Sequence, residues 1–197
     1  MSKYMRPILI GVVVGFVVSF GMGFLYGMIG DRASSMPMIM GAVTGSITAY
    51  ILANLSGIRA RPAASSAQKT QALDEVPPAG KAFLYLYREG FVAKLAGLNV
   101  AVDGKEVVQL KSPRFTCVTV APGSHTVSAA FGGLAGPQNN PARVTVEVPA
   151  GAAAALRMTM KMGALKNSID IAPMADLNAV KNTLAGMVMT QLDVAEV

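Results

Sequence analysis

The chain has 197 residues and a formal charge of +6, with 52% hydrophobic and only 14% charged residues, against about 25% charged in an ordinary soluble domain. Residues 1–62 carry five basic groups and one acidic group, and residues 63–197 carry twelve and ten, so the net charge belongs to the hydrophobic N-terminal part. A phosphate-neutralising face needs clustered Lys and Arg. The dispersed basic groups of the second half argue against a nucleic-acid partner.

Residues 7–30, PILIGVVVGFVVSFGMGFLYGMIG, contain no charge, and about 20 such residues suffice to cross a hydrocarbon core of about 30 Å. A signal peptide would have an apolar region of about 7–15 residues followed by a small-residue cleavage site. Here Val12–Val18 lies inside a much longer run, and no A-x-A site follows. After Asp31–Arg32 a second uncharged run, residues 36–57, completes the pattern of a transmembrane helical hairpin over residues 1–60. Gly11 and Gly15, Gly23 and Gly27, and Gly41 and Gly45 are each four apart, a spacing that bares one helix face to close approach, either within the hairpin or between copies. No acidic or basic residue lies inside either run, so neither offers a candidate for a proton or ion relay. Lys3 and Arg6 precede the first run and Arg59 and Arg61 follow the second, which by the positive-inside rule puts both termini on the cytoplasmic side. The location expected is a bacterial inner membrane, with the lipid bilayer as the first partner.

Residues 61–80, RPAASSAQKTQALDEVPPAG, show no apolar period and are expected to form a flexible linker. From Lys81 the chain turns to short strands. AFLYLYR (82–88) is apolar on both faces, and LNVAVDGKEVVQL (98–110) is a hairpin around Asp103–Gly104, a dipeptide that tolerates φ > 0 at both positions. RFTCVTV (114–120), HTVSAAF (125–131), ARVTVEV (142–148), the stretch 152–162 and NSIDIAP (167–173) continue the series. Regular short strands and turns predict a small antiparallel β-sandwich over 81–173. Leu177, Val180, Leu184 and Val188 then fall three or four apart, predicting an amphipathic helix of about four turns within 174–197, starting near Pro173 or Asp176. The fold class expected is membrane-anchored α+β: a two-helix hairpin, a small β-sandwich and a C-terminal amphipathic helix.

Residues 77–131 resemble the bacterial DUF2846 family. The likeness rests on the opening P-P-x-G-K-A, the strand ending in Tyr87–Arg88, the V-D-G-K hairpin at Val102–Lys105 and the V-x-P-G-x-H-T-V run at Val120–Val127. It extends through ARVTVEVPAG (142–151) and NSIDIAPM (167–174) to cover about 77–175. The resemblance implies a β-sandwich attached to envelope proteins, often behind a lipoprotein signal, with no established reaction or cofactor. This chain departs from that pattern in having two apolar runs and no lipobox cysteine near its N-terminus. The family habit favours a periplasmic domain and the flanking charge a cytoplasmic one; the charge belongs to this chain and takes precedence.

The search for chemistry is short. His125 is the only histidine, expected half-exposed at a strand start, with no nucleophile or ligand set beside it in sequence. Cys117 shares a strand face with Phe115 and Thr119, and a lone strand cysteine is usually a small packed hydrophobe; as the only cysteine it also excludes an intrachain disulfide. Asp103 is explained by its turn. Gly132, Gly133 and Gly136 lack the context of a phosphate loop. The methionines at 36, 38, 40, 158, 160 and 162 suit copper only nominally. No catalytic, cofactor or metal residue is assigned, and no enzyme is expected. The expectation is a non-enzymatic membrane protein whose β-sandwich serves as an interaction or scaffold domain, for a protein partner or for further copies of the chain through the membrane helices. Tyr85, Tyr87, Phe91 and His125 are the candidate surface. An envelope glycan- or ligand-binding module would need an aromatic platform at Tyr85, Tyr87 or Phe91. A small oligomeric channel would need Thr44 and Thr48 to line a pore.

Overall fold

The computed structural model describes residues 4–30, 34–55, 59, 61–94, 96–132, 136, 139–164 and 166–193. Lys3, Asp31, Arg32 and Gly133, on which parts of the topology and loop expectations fall, lie outside the described residues. The chain divides into two units, residues 1–57 and 58–197.

In the first unit, α1 (Met5–Met28) and α2 (Met36–Leu55) pack against each other. At 1.5 Å per residue they are about 36 and 30 Å long, and both are long and apolar enough to cross a membrane. Both are apolar on all sides because nothing in the sequence alternates at the helical period. Ile8, Leu9, Val12, Phe16, Phe20 and Phe24 of α1 and Met38, Ile39, Val43, Ile47 and Ile51 of α2 remain exposed. Pro7 and Pro37 sit in the first turns, where the missing N–H costs no helical bond.

The second unit is α+β. Strands β1 (Ala82–Arg88), β2 (Leu98–Val102), β3 (Lys105–Leu110), β4 (Arg114–Val120), β5 (Gly123–Phe131), β6 (Asn139–Asn140), β7 (Ala142–Val148), β8 (Ala153–Lys161), β9 (Asn167–Pro173) and β10 (Val188–Met189) form two sheets. One has the order β10-β4-β1-β8-β9-β6 and the other β3-β2-β5-β7. Their facing sides share a core of Leu84, Leu86, Val118, Leu156 and Met158 against Leu98, Val100, Val108, Val127 and Phe131. Each such side chain, fully buried, contributes about 1.5–3 kcal/mol. The β2–β3 turn has Asp103 at φ +50° and Gly104 at φ +82°, the pair of positive values a two-residue turn requires.

Three expectations are corrected. The sheets are antiparallel-rich but mixed: β1 pairs β8 in parallel, as β10 pairs β4 and β6 pairs β9. The parallel β1–β8 pair is possible because the whole four-stranded sheet is formed from the chain between them. The segment 61–80 is not an unstructured linker, since it carries α3 (Ser66–Asp74). The Ser65 side chain accepts from the Gln68 backbone and the Gln68 side chain accepts from the Ser65 backbone, a capping box. Finally, the C-terminal helix α4 (Leu177–Ala185) is shorter than four turns. It starts at Asp176, whose carboxylate accepts from Asn178 and Ala179 at 3.0 Å. It ends at Gly186, and Val188, expected on its apolar stripe, instead pairs with Arg114 in β10.

Helices α3 and α4 cover the outer face of the six-stranded sheet. There Ala72, Leu73, Val180 and Leu184 pack on Phe83, Tyr85, Tyr87, Phe115 and Cys117. Strand β1 is therefore buried along its whole length, as its two apolar faces predict. Lys69 of α3 donates to the carbonyls of Ala185 and Met187 at 2.6 and 2.7 Å, placing a cation on the C-terminal end of α4 where the helix dipole favours it.

Registers place the loops. Arg88 at the end of β1 lies opposite Arg114 at the start of β4 and Met158 of β8, while Leu98 at the start of β2 lies opposite Leu110 and Phe131. Loops 89–97, 111–113, 132–138 and 162–166 thus share one end of the sandwich. The Asp103–Gly104 turn and His125 occupy the other.

Candidate interaction surface

Of the six glycines, four meet at the hairpin seam. A Cβ on Gly11 would lie 2.6 Å from the Gly45 carbonyl oxygen and from the Ala49 Cβ, and one on Gly15 2.8 Å from the Gly41 oxygen. One on Gly45 would lie 2.6 Å from the Gly11 oxygen, and one on Gly41 would collide with Ser19 and the Gly15 carbonyl. These four let the backbones touch, which is the use of small residues in such helices. Gly27 faces open space and Gly23 only grazes Pro37 at 4.0 Å; the same spacing there serves no seam. Thr48 donates to its own helix at Thr44 O, 2.8 Å, so its hydroxyl is satisfied without a pore.

The aromatic platform is not on the surface. Tyr85 is fully buried and Tyr87 nearly so, under α3 and α4. The Tyr85 hydroxyl donates to the Ala72 carbonyl at 2.6 Å, and burial, with Cys117 and Asp74 nearby, pushes its pKa up. Burial also raises that of Tyr87. Alternation in AFLYLYR marks two faces but not what covers each, and here the covering helices come from outside the strand region. Cys117 lies on the same buried face, its thiol pushed up to about 12 by burial. That removes the thiolate a nucleophile needs.

His125 is buried rather than half-exposed. Its Nδ1 lies 2.7 Å from Asp103 Oδ2 and its Nε2 2.7 Å from the Ala121 carbonyl. Bonding to two acceptors at once requires both ring nitrogens to donate, which is the imidazolium form. Burial alone would lower the His125 pKa, but the bonds to Asp103 and Ala121 and the charges of Asp103 and Glu147 raise it. Burial acts upward on Asp103, and the bonds from His125 and the Thr126 backbone hold its pKa below the usual carboxylate range. Asp103 Oδ1 also accepts from Thr126 N at 2.8 Å. The pair is a clamp that fastens the β2–β3 turn to β5, with both ring nitrogens occupied. Among the described residues no group of three His, Cys, Asp or Glu converges.

Two features have no forecast in the sequence. The first is Arg88, the largest fully buried side chain. Its guanidinium donates to the carbonyls of Ala96 (2.5 Å), Ala93 (2.7 Å), Leu110 (3.1 Å) and Val92 (3.5 Å) and lies 5.2 Å over the Phe131 ring. Burial lowers its pKa to about 10. Loop 89–97 is wound on this cation. Ser112 braces it from the neighbouring loop, its hydroxyl donating to Gly90 O at 2.7 Å and its N–H to Lys94 O at 3.3 Å. The chain bends through positive φ at Gly90 (+101°) and Ala93 (+53°), a strained value for alanine. At its tip Phe91 is 88% exposed, the one member of the expected surface set that faces solvent.

The second feature is a groove of about 480 Å³ between α3 and the β4–β10 side of the six-stranded sheet. Gln68, Gln71, Val76, Thr119, Gln191 and Leu192 line it, with Phe83 and Cys117 at its floor. It exists because α3 is ordered; its only sequence signal is Ser65 three residues ahead of Gln68.

Neither a protein-family model nor a curated protein matches the chain, and the likeness to DUF2846 stays with the motifs that carry it.

Proposed function

We propose that this chain is a non-enzymatic bacterial membrane protein in which the α1–α2 hairpin is a two-span inner-membrane anchor and the β-sandwich unit is an interaction domain. The observation that carries the reading is the division of exposed surface. The hairpin buries its glycine seam with Pro7, Pro37 and Ala53 and leaves large aliphatic and aromatic side chains exposed along both helices, a surface suited to lipid. The groove beside α3 is the domain's binding surface. Its mixture of glutamine amides with Val76 and Leu192 suits a short protein segment that offers backbone groups for bonding and one apolar side chain for burial. Three of the domain's buried polar side chains are engaged in structure: His125 with Asp103, Arg88 with loop carbonyls, Tyr85 with Ala72. Lys3 and Arg6 before the hairpin and Arg59 and Arg61 after it favour cytoplasmic termini and a cytoplasmic domain.

The test uses the full chain in its own membrane. It is expected to resist alkaline carbonate extraction, and its domain to be protected from protease added to spheroplasts. A photo-crosslinking residue at Gln71 should give one discrete adduct that disappears when Thr119→Arg fills the groove. The same residue at Ser124, exposed at the far end of the sandwich, should give none. Extraction by carbonate sinks the anchor; equal or absent adducts at the two positions sink the groove.

A further inference from the structure

The loop end of the sandwich carries an apolar and basic surface that the interaction reading leaves unused. Phe91 is 88% and Met162 78% exposed, on loops 89–97 and 162–166. Around them the same end presents Lys94, Lys111 and Lys166 in its loops and Arg114 at the start of β4. Among the described residues no ion pair holds any of the four. The loops contain one acid, Glu89, and Arg157 already meets it at 3.5 Å. The sequence thus keeps an aromatic ring in water at the tip of a loop that a buried arginine and a strained alanine hold in shape. An exposed ring on a loop held in a strained shape is characteristic of a binding device.

The chain's entry point selects the partner. Arg59 donates its N–H to the Gln109 side chain at 2.6 Å, and Gln109 is one residue from the loop end of β3. Only residues 56–58 separate Arg59 from the end of α2. Four residue steps span at most about 14 Å.

We propose that the loop end of the sandwich docks on the anionic headgroup surface of the membrane that the hairpin spans, with Phe91 and Met162 entering the headgroup–acyl boundary and the surrounding lysines and arginine meeting lipid phosphates. This inference rests on the reading of α1 and α2 as spans. Juxtamembrane basic residues add attraction to an anionic leaflet, and exposed apolar side chains add burial at its surface. Docking leaves the α3 groove, on the flank of the sheet, open to its partner.

The chain contains no tryptophan, so Phe91→Trp gives the full-length protein a single indole. The variant is reconstituted into vesicles of phosphatidylcholine alone or mixed with phosphatidylglycerol, and flotation checks insertion. In anionic vesicles the indole emission should shift to the blue and be quenched by lipids brominated in the upper acyl chain. In neutral vesicles quenching should be several-fold weaker. Lys94→Gln, Lys111→Gln and Arg114→Gln together should lower the docked-to-undocked ratio on the order of a hundredfold at low salt. High salt on the unneutralised protein should act in the same direction, which keeps the test independent of whether the triple variant folds. An indole that stays water-exposed in both vesicles, or shifts to the blue without quenching by brominated lipid because it lies against another protein copy, overturns the docking. Failure to float overturns the span reading itself.

Discussion

Replacing Arg88 by methionine tests whether the buried cation organises loop 89–97. The substitution keeps an unbranched apolar stem and removes every donor. Two carbonyls within 3.1 Å, those of Ala96 and Leu110, lose this partner, while that of Ala93 keeps the Ala96 N–H at 3.0 Å. An acceptor left unpaired in the interior costs about 2 kcal/mol, and loss of the cation–π contact with Phe131 adds about 1 kcal/mol. Opposing this is relief of the cation's own desolvation. The fall of its pKa to about 10 corresponds to about 3 kcal/mol. The balance is a destabilisation of about 2 kcal/mol. In a unit of this size that lowers the melting temperature by roughly 4–8 °C. Thermal unfolding followed by near-ultraviolet circular dichroism measures the change, since the buried Tyr85 and Tyr87 report on the packed sheet. Amide exchange should show protection lost first in residues 89–97. A stability within about 0.5 kcal/mol of the parent, or unchanged protection of that loop, would refute the reasoning. Arg88→Lys should fall between the two, because an ammonium reaches fewer of the carbonyls in their fixed fork geometry.

The His125–Asp103 clamp gives a pH dependence of determinate sign. Because the folded His125 pKa is raised, its contribution is complete below the unfolded value of about 6.5 and is lost as pH rises through the folded one; because that of Asp103 is lowered, its share is lost as pH falls through its depressed value. Asp103 is partly exposed, so the effect is no more than about 1 kcal/mol, and urea titrations should show the alkaline step vanish in Asp103→Asn. Cys117, with its thiol raised to about 12 by burial, should alkylate slowly at neutral pH in the native protein and rapidly in urea; fast native labelling would show that α3 does not cover it. Gly45→Val should part the hairpin seam and Gly27→Val should not, read as disulfide yield between Ile8→Cys and Ala49→Cys in a Cys117→Ala background.

What could be read in advance follows from the range of each signal. The Asp103–Gly104 hairpin and the strand at 82–88 are local, so turn chemistry and alternation placed them. Helix α3 was missed because only Ala72 and Leu73 of its residues are buried, and so short a polar segment shows no apolar period. Its capping box was nevertheless legible at Ser65 and Gln68. The partner of His125 sits in a different strand connection, and no spacing rule joins them. The four-residue glycine spacing was correct for Gly11, Gly15, Gly41 and Gly45 and empty for Gly23 and Gly27. Spacing reports a possible face, and only the neighbouring helix decides whether it is used. Tyr85 and Tyr87 illustrate the same limit in a sheet: the pattern gives sidedness, and a distant helix supplies the roof.

The parallel pairing of β1 with β8 also sets an order of events during synthesis. Leu84 must wait for Ala154 to leave the ribosome before its strand acquires that second neighbour, and the strip β10 that closes the other flank arrives later still. Both hairpin helices have emerged long before. The hairpin is therefore complete while β1, carrying Phe83, Tyr85 and Tyr87, still lacks β8 on one edge and α4 over its outer face. Long-range strand pairing is slow, and unsatisfied edges invite misassociation. Truncation before β8 would leave one edge of β1 unpaired and Tyr85 and Tyr87 without the cover of α4.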